Sequence, residues 1–371
     1  MTLHIFNPEH DLALASGLAN FTAPHAGRQL RHDLGFLPVL WAKEGDLVLV
    51  DDLAMAERGL RLLRPRVRYR QTASLVPVNS QFSAGKLPVC RYLTQVEPWG
   101  WDLALLSRLR RQGFPTELLP SETQIDTIRQ LSHRRTAAQL LPALRFEGTV
   151  GEAVECRSIE EVEAFISQHP RTVRKAPWSS SGRGIRFVES VAADLQSAAV
   201  PSSLTGWLRN VLKVQGSVMA EPYYHKVKDF GMEFEWRDGE IRYLGLSLFH
   251  TTNGAYTGNI LATEQAKREM LSQYLSLELI DRVREEIIKA HLLSSLGSLT
   301  LPFGIDMMVV ARTDGQGFLL HPCVELNLRR TMGHVALALT PLVNPDGDDD
   351  VLRVMRIDYA NNQYQLKINR L

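Results

Sequence analysis

The strongest constraint on the fold comes from two apolar runs near the carboxyl terminus that carry oxygen-bearing side chains at fixed spacing. Asp306 interrupts the run GIDMMVV, and Glu325 and Asn327 stand two residues apart in VELNLRR. Residues two apart on a β-strand point to the same face, so Glu325 and Asn327 project together. If the runs pair through the turn at Asp314-Gly315, Asp306 falls near the same end of the hairpin.

Three oxygen ligands on one face of a sheet suit Mg²⁺, which commonly combines a few protein groups with nucleotide phosphates. Arg329 stands two residues after Asn327 and would face the same way, where its planar guanidinium could meet a phosphate or a carboxylate. The plain alternative is a hairpin with ordinary solvated polar residues. The combination of acids, amide and arginine favours the metal site.

A second pattern joins a lysine at the end of a predicted strand to a turn rich in serine and glycine. The strand ends at Lys175, and residues 179–184 read SSSGRG. Glycine lets backbone N–H groups approach a phosphate closely, and Lys175 would add a compact positive charge. The alternative is an ordinary turn with a solvated lysine, and Arg183 within the turn has the same two readings.

Composition excludes several classes of protein. The 371 residues carry a net charge of +1, without the basic excess typical of a nucleic-acid binder. The first residues mix charged and apolar side chains, so we expect neither a signal peptide nor a transmembrane helix. The cysteines are widely spaced and form no CxxC pair, which argues against zinc ribbons and disulfide frameworks. A cytoplasmic enzyme is the expectation.

The amino-terminal third is predicted to form an α/β layer, because strand patterns near residues 3–6, 47–50 and 75–78 alternate with helical ones. The loop 7–11 follows the first strand, where α/β sheets often bind ligands. The alternative is that its Asn7 and Asp11 cap the following helix.

The rest of the chain is richer in strands. A long helix is predicted over residues 263–296, broken once near 275–277. The last residues predict a hairpin that turns at Asn361-Asn362. Segment 98–102, PWGWD, is expected to serve packing and helix capping. Among the scattered histidines, His250 is expected to be the one that faces a pocket.

Taken in chain order, five segments resemble the ATP-grasp superfamily, which includes D-alanine–D-alanine ligases, biotin carboxylase and carbamoyl-phosphate synthase. The segments are SHRRTAAQLL, VRKAPWSSSGRGIRFV, VMAEPYYHKVKDFGMEF, GIDMMVV and HPCVELNLRRTMG. The resemblance implies an α/β (α+β) fold with an ATP-grasp core at 126–345 and a small lid subdomain at about 145–215. An amino-terminal α/β domain of the pre-ATP-grasp kind, 1–125, would precede the core, and a hairpin tail, 346–371, would follow it.

The resemblance also implies which residues form the site. Those for ATP binding are Arg134, Lys175, Ser180, Ser181, Gly182, Glu221, Tyr223 and Asp229. Those for the metal are Asp306, Glu325 and Asn327, and those for catalysis are Arg329 and Arg183.

Within that set, Lys175 and the closing loop 179–184 would contact phosphates. Glu221 would receive the adenine amino group, Tyr223 or its neighbour would donate a backbone contact, and Asp229 would bind the ribose hydroxyls.

The sequence departs from the family pattern in two places that bear on charge. Arg134 stands where a second phosphate-binding lysine is frequent, which keeps the charge and changes the hydrogen-bond geometry. Gly304 stands where the D-alanine ligases place an arginine two residues before the metal aspartate. Transition-state charge would then fall to Arg329, Arg183 or the metal.

The implied activity is that of an ATP-dependent ligase using Mg²⁺, with Mn²⁺ as the alternative ion. It would convert a small-molecule carboxylate to an acyl phosphate for attack by an amine-type acceptor. The alternatives are a small-molecule kinase of the same fold and a non-catalytic nucleotide-binding regulator. The expected partners include neither nucleic acid nor membrane, and a homodimer is one candidate for the assembly.

Overall fold

The computed structural model describes residues 1–68, 73–78, 92–169, 171–179, 184–189, 202–252, 255–347 and 352–371. Within them, the strands form three sheets. The N-terminal sheet contains β1 (Thr2–Ile5), β2 (Leu47–Val50), β3 (Ser74–Pro77) and β4 (Gln95–Pro98). The lid sheet contains β5 (Val154–Cys156), β6 (Arg171–Lys175), β7 (Ile185–Glu189) and β8 (Val218–Pro222). The central sheet contains β9 (Lys226–Arg237), β10 (Glu240–Thr252), β11 (Ala255–Leu261), β12 (Leu301–Ala311), β13 (Phe318–Asn327), β14 (Arg353–Ala360) and β15 (Gln363–Arg370).

The helices of the same residues are α1 (His10–Ser16), α2 (His25–Leu34), α3 (Leu53–Leu63), α4 (Leu103–Arg111), α5 (Glu122–Leu131), α6 (Arg135–Leu140), α7 (Ile159–Gln168), α8 (Ser202–Gln215), α9 (Glu264–Ser272), α10 (Leu277–Lys289) and α11 (Met332–Val343). None of these helices combines the length and the apolar character that a bilayer crossing needs.

The N-terminal sheet is parallel, with the strand order β3-β2-β1-β4. Its inner strands β1 and β2 are buried on both faces, as parallel strands generally are. Leu47 and Leu49 pack into one hydrophobic core and Val48 and Val50 into another on the opposite face. The expected α/β layer is therefore confirmed.

The lid sheet has a small core of its own. Its strands run antiparallel in the order β5-β8-β6-β7. Phe165 of α7 and Leu208 of α8 pack against Val218 and Ala220 of β8. The separate core makes this sheet a distinct subdomain that carries Lys175 and Glu221 at the ends of its strands.

The central sheet owes its two faces to strict alternation along β9. Phe230, Met232 and Phe234 are fully buried in the main core, which they share with residues of α10. The residues between them point to the other face. Asp229 and Glu233 therefore lie on the face opposite the main core.

The predicted long helix over 263–296 is wrong in extent, although its predicted break is present. α9 ends at Ser272, and the hydroxyl of Ser276 accepts a hydrogen bond from the Leu279 N–H to start α10. α10 ends at Lys289, because His291 adopts a left-handed backbone with φ of 47° that cannot continue the helix.

The carboxyl-terminal hairpin is part of the central sheet. β14 pairs with β11, and β15 pairs with β14. The turn falls at Asn361 and Asn362, whose φ values are 53° and 58°. Two consecutive left-handed residues are what a two-residue hairpin loop requires, and asparagine tolerates that conformation. The predicted turn is confirmed.

Segment 98–102 packs and caps, as expected. Trp99 and Trp101 are buried. One carboxylate oxygen of Asp102 accepts a hydrogen bond from the Leu105 N–H at 2.8 Å, which caps α4, and the other accepts one from the Asn7 amide at 3.2 Å. Asn7 also donates to the Gly100 carbonyl oxygen at 2.8 Å, so this capping network ties the loop after β1 to the loop after β4.

We predict that Asp102→Ala lowers the free energy of unfolding by about 2–4 kcal/mol, because it removes a cap and leaves the buried Asn7 amide short of an acceptor. Asp52→Ala is the control, since Asp52 caps α3 in an exposed position and should cost only about 1 kcal/mol. The measurement is urea denaturation of both variants. Equal losses would show that the buried network adds nothing to the cap.

Candidate functional site

The acidic end of the β12–β13 hairpin gathers three oxygen-bearing side chains on one face. In the antiparallel ladder Asp306 lies opposite Glu325, and Gly304 lies opposite Asn327. The Asn327 amide donates a hydrogen bond to the Asp306 carboxylate at 3.2 Å. The structure therefore has the strand pairing and the shared face that the sequence pattern predicted, and we call these three residues the oxygen cluster.

A buried acid that the sequence analysis did not single out lies beside the oxygen cluster. Glu233 is 3% exposed and accepts a hydrogen bond from the Thr331 hydroxyl at 2.8 Å. His334 Nδ1 lies 2.9 Å from the same carboxylate oxygen. Glu233 stands between the core residues Met232 and Phe234 on β9. From the sequence alone, such an alternating acid is expected to face solvent. Only the packing of the start of α11 over this face buries it.

Glu233 also explains why Gly304 stands where an arginine was expected. A Cβ on Gly304 would come within 2.5 Å of a Glu233 carboxylate oxygen and within 2.8 Å of the Thr331 methyl carbon. Such distances lie inside van der Waals contact, so there is no room for a side chain at residue 304. The buried Glu233 side chain thus occupies the space that any side chain at residue 304 would need.

The oxygen cluster concentrates negative charge in a buried place. Burial, together with the carboxylates of Glu325 and Glu233, raises the pKa of Asp306 to about 8. Within the described residues, no group of three His, Cys, Asp or Glu side chains could hold a metal ion by itself. Asp306 and Glu325 would provide two carboxylates and Asn327 an amide oxygen, a set that needs further oxygen ligands from a bound molecule.

Arg329 links the oxygen cluster to the amino-terminal part of the chain. Its Nε and Nη2 atoms each donate to a carboxylate oxygen of Asp11 at 2.8 Å, and Nη2 also donates to Asn327 Oδ1 at 2.9 Å. Although burial alone would raise it, this partner holds the pKa of Asp11 below its ordinary value. Asp11 does not cap α1, whose cap residue is Glu9. The alternative in which the loop only caps a helix is therefore wrong, and loop 7–11 reaches the site through Asp11.

Arg134 links the oxygen cluster to the lid sheet. Its Nη2 donates to Glu325 Oε1 at 2.7 Å, and its Nη1 donates to the Ser179 hydroxyl at 2.7 Å and to the Ala176 carbonyl oxygen at 2.5 Å. The side chain is almost completely buried. Asp11, Ser179, Glu325 and Asn327 all line one small pocket, and each of them accepts a hydrogen bond from Arg134 or Arg329.

Lys175 and Glu221 form an ion pair in the structure. The family resemblance had implied that Lys175 contacts the phosphates of ATP and that Glu221 contacts the adenine. Lys175 Nζ lies 2.6 Å from Glu221 Oε2, and both side chains are more than 90% buried. The pair lies next to His321 of β13, whose pKa is lowered to about 3, first by burial and then by Lys175. Neither ring nitrogen of His321 has a hydrogen-bond partner within the described structure.

His321 is therefore a neutral, buried and unpaired polar group beside the pair, and the Tyr224 ring covers it in an edge contact. His250, expected to face a pocket, is exposed instead. Because side-chain burial in a strand depends on which elements cover each face, single-sequence patterns could not distinguish these two histidines.

Two further residues of the predicted nucleotide site have defined partners. The Tyr223 N–H donates to the Arg171 carbonyl oxygen at 2.8 Å, so a backbone contact to the base would fall to a neighbour. Asp229 accepts hydrogen bonds from Lys226 at 2.6 Å and from the Thr251 hydroxyl. Of the remaining predicted residues, Ser180, Ser181, Gly182 and Arg183 lie outside the described residues.

Several solved structures are similar to this chain, and three of them illustrate the similarity. A biotin carboxylase in a β,γ-ATP complex from Campylobacter jejuni is 13% identical, with a TM-score of 0.52 over 98% of this chain and 77% of that one. A putative ATP-grasp superfamily protein from Archaeoglobus fulgidus is 12% identical, with a TM-score of 0.48 over 100% and 99% of the two chains. An N5-carboxyaminoimidazole synthetase complexed with ADP from Staphylococcus aureus is 11% identical, with a TM-score of 0.49 over 97% and 83%.

No family model matches the sequence, and no curated protein matches it either. The similarity to the biotin carboxylase extends over nearly the whole chain and concerns the fold. The chain has the ATP-grasp fold, in agreement with the order of its sequence motifs.

We predict that Gly304→Ala destabilises the protein by about 1–3 kcal/mol, because the new methyl group overlaps Glu233. Gly206→Ala is the control. It lies within α8 with nothing near its Cβ direction, and it should stabilise by about 0.5–1 kcal/mol through helix propensity. Thermal unfolding measures both.

The penalty at residue 304 should shrink, without vanishing, in a Glu233→Ala background, because the overlap with the carboxylate is then gone while that with the Thr331 methyl group remains. A Gly304→Ala variant as stable as Gly206→Ala would contradict the packing of Glu233 against the glycine.

Proposed function

We propose that this protein is an ATP-dependent ligase that activates a substrate carboxylate as an acyl phosphate, which an amine-type nucleophile then attacks. The ATP-grasp fold supports this proposal. The observation that carries it is that Glu325 and Asn327 of the oxygen cluster line one pocket and are hydrogen-bonded to Arg134 and Arg329 respectively. Phosphoryl transfer depends chiefly on positioning and on charge stabilisation, which such a set provides.

Asp306, Glu325 and Asn327 are the residues that would hold Mg²⁺. They fit the ion because it prefers a few protein oxygens with phosphate oxygens completing the shell, and because a cation would offset the repulsion that raises the pKa of Asp306. When bound, Mg²⁺ draws charge from the phosphates of ATP. Mn²⁺ accepts the same oxygen donors and is the alternative ion.

Arg134 is the residue best placed to respond to phosphate. In the structure it donates to Glu325 and to Ser179, and a phosphate in the pocket would offer it a stronger acceptor in the same direction. Ser179 opens the segment 179–184, for which we propose a lid role that shields the acyl phosphate from water. Arg183, within that segment, remains a candidate for stabilising the transferred phosphoryl group.

The ion pair between Lys175 and Glu221 would separate when the nucleotide binds, so that each residue contacts a different part of it. A phosphate group can replace Glu221 as the partner of Lys175, which releases the carboxylate to accept the adenine amino group. Separation of such a buried pair is strongly unfavourable unless both groups gain new partners, so the exchange would depend on the phosphate and the adenine being bound. Asp229, held by Thr251 and Lys226, would bind the ribose hydroxyls.

The proposed reaction has two steps. A carboxylate oxygen of the substrate attacks the γ-phosphorus, and the bond to the bridging oxygen breaks, so ADP leaves. The amine then attacks the carbonyl carbon of the acyl phosphate, and inorganic phosphate leaves. Arg329 would lie near the acceptor, since its side chain joins the oxygen cluster to Asp11.

We predict that Glu325→Gln and Asn327→Ala each lower ATP turnover by at least about a hundredfold while the fold is retained, because each removes a charge or a ligand at the reacting phosphate. Asp314→Asn is the matched control. It lies at the exposed turn of the same hairpin and should keep wild-type turnover. The measurement is ADP release during a screen of small carboxylates and amines with ATP and Mg²⁺.

The products of the active pair decide between ligase and kinase. A ligase should release phosphate only when the amine is present, and hydroxylamine should trap the acyl phosphate as a hydroxamate. A stable phosphorylated product without released phosphate would identify a kinase. Wild-type turnover in Glu325→Gln would contradict the assignment of the oxygen cluster itself.

A further inference from the structure

A cleft beside the N-terminal sheet is lined by none of the residues assigned above to ATP, metal or catalysis. It adjoins α1, the helix that also carries Asp11. It has a volume of about 210 Å³, below the range of about 300–1,000 Å³ usual for pockets that hold drug-sized ligands. Asn7 and Glu9, which follow β1, form one wall, and Leu105 and Arg108 of α4, which follows β4, form another. The cleft is therefore sized for a small metabolite or a part of one.

The topology of the sheet marks this place independently of the side chains. Along the chain, β2 is added beside β1 and β3 beside β2. The next strand, β4, then pairs with β1 on its other side. The connections on the two sides of β1 therefore leave in opposite directions and open a crevice between β1 and β4. In open parallel sheets, ligands bind in such a crevice at the carboxyl ends of the strands.

The lining of the cleft is positively charged. Its guanidinium groups belong to Arg28 and Arg31 around α2 and to Arg108 and Arg111 of α4, against the carboxylates of Glu9 and Asp102. Asp102 caps α4 and accepts a hydrogen bond from Asn7. Glu9 pairs through Oε1 with Arg31 inside the cleft, and its buried Oε2 has no hydrogen-bond partner among the described residues. The lining still holds more guanidinium groups than carboxylates.

Arg108 is a half-buried arginine of the cleft, whereas Arg28 and Arg111 are exposed and Arg31 is paired with Glu9 and Asp51. Among the described residues no carboxylate lies within ion-pair distance of it, and its buried Nε has no hydrogen-bond partner. Burial, followed by repulsion from Arg31, lowers the pKa of Arg108 below its ordinary value. A buried guanidinium N–H without an acceptor, such as the Nε of Arg108, is unfavourable, and an anion in the cleft would satisfy it.

The cleft and the oxygen cluster share α1 as a wall. Ala13 lines the cleft, whereas Asp11 and Leu14 of the same helix line the pocket at the oxygen cluster. Asp11 in turn holds Arg329. A molecule anchored in the cleft is thus separated from the reacting centre by a single helix.

We propose that this cleft binds an anionic group, a phosphate or a carboxylate, of the substrate that reacts at the oxygen cluster, with Arg108 as its main anchor. The proposal rests on the proposed ligase function for the identity of that substrate. It adds the chemical class of that substrate, which would carry a phosphate or a carboxylate, because a neutral molecule would leave Arg108 unpaired. The anchor is distinct from the residues proposed for ATP and metal.

The test compares Arg108→Met with Arg110→Met. Arg110 belongs to the same helix but is exposed, pairs with Glu122 and does not line the cleft. Inorganic phosphate and malonate are titrated into each protein at constant ionic strength, by calorimetry and by thermal unfolding, and ADP is titrated separately. We expect at least one anion to bind the wild type and Arg110→Met saturably, and Arg108→Met at least about tenfold more weakly.

Without added anion, Arg108→Met should unfold at the same or a higher temperature than the wild type, since it removes a half-buried charge that burial and Arg31 disfavour. A lower unfolding temperature combined with unchanged anion binding would assign Arg108 a structural role and overturn the proposal. The absence of saturable binding of either anion to the wild type would overturn it as well. Phosphate binding alone indicates a phosphorylated substrate, and malonate binding alone indicates a carboxylate.

The ADP titration separates the two claims. If ADP binds all three proteins equally and the anion difference is absent, the cleft assignment fails and the proposed ligase function stands. If ADP binds none of them while the anion difference persists, the ATP-dependent function fails and the anion site stands.

Discussion

Charge compensation at the acidic end of the β12–β13 hairpin holds the site together. Carboxylates and an amide are crowded on one face of the central sheet, and two arginines reach them from different parts of the chain. Arg329 joins Asn327 to Asp11 beside the N-terminal sheet, and Arg134 joins Glu325 to Ser179 at the edge of the lid sheet. Arg134 is buried, and Arg329, Asp11 and Glu325 are partly buried, so loss of either arginine would leave a partly buried carboxylate without its counter-charge.

The same contacts make the site responsive to ligands. A cation at the oxygen cluster would compete with Arg134 for Glu325, and a phosphate would compete with Glu221 for Lys175. The first exchange acts on a link between the central sheet and the lid sheet, and the second acts between two strands of the lid sheet, whose core is separate. Occupation of the nucleotide site would therefore bear directly on how the lid sheet is held.

Local periodicity made the strands and the oxygen cluster predictable, because alternation along a strand fixes which side chains share a face. Asp306, Glu325 and Asn327 could thus be grouped from the sequence alone. Their neighbour Glu233 could not, since an acid between Met232 and Phe234 looks solvated until α11 covers it. The pair of Arg329 with Asp11 spans 318 residues, and no local pattern reports such a contact. The arginines of the cleft come from α2 and α4, so only the topology of the sheet brings them together.

The central claim is that the oxygen cluster holds a cation that bridges the protein to a nucleotide. Calorimetric titration of ADP into the wild type and into Glu325→Gln, each with Mg²⁺ and with a chelator, tests it directly. Mg²⁺ should strengthen ADP binding to the wild type by at least about tenfold, equivalent to about 1.4 kcal/mol, and should do so far less in Glu325→Gln. Equal ADP affinity of the wild type with and without Mg²⁺, or a full Mg²⁺ effect in the variant, would contradict the claim.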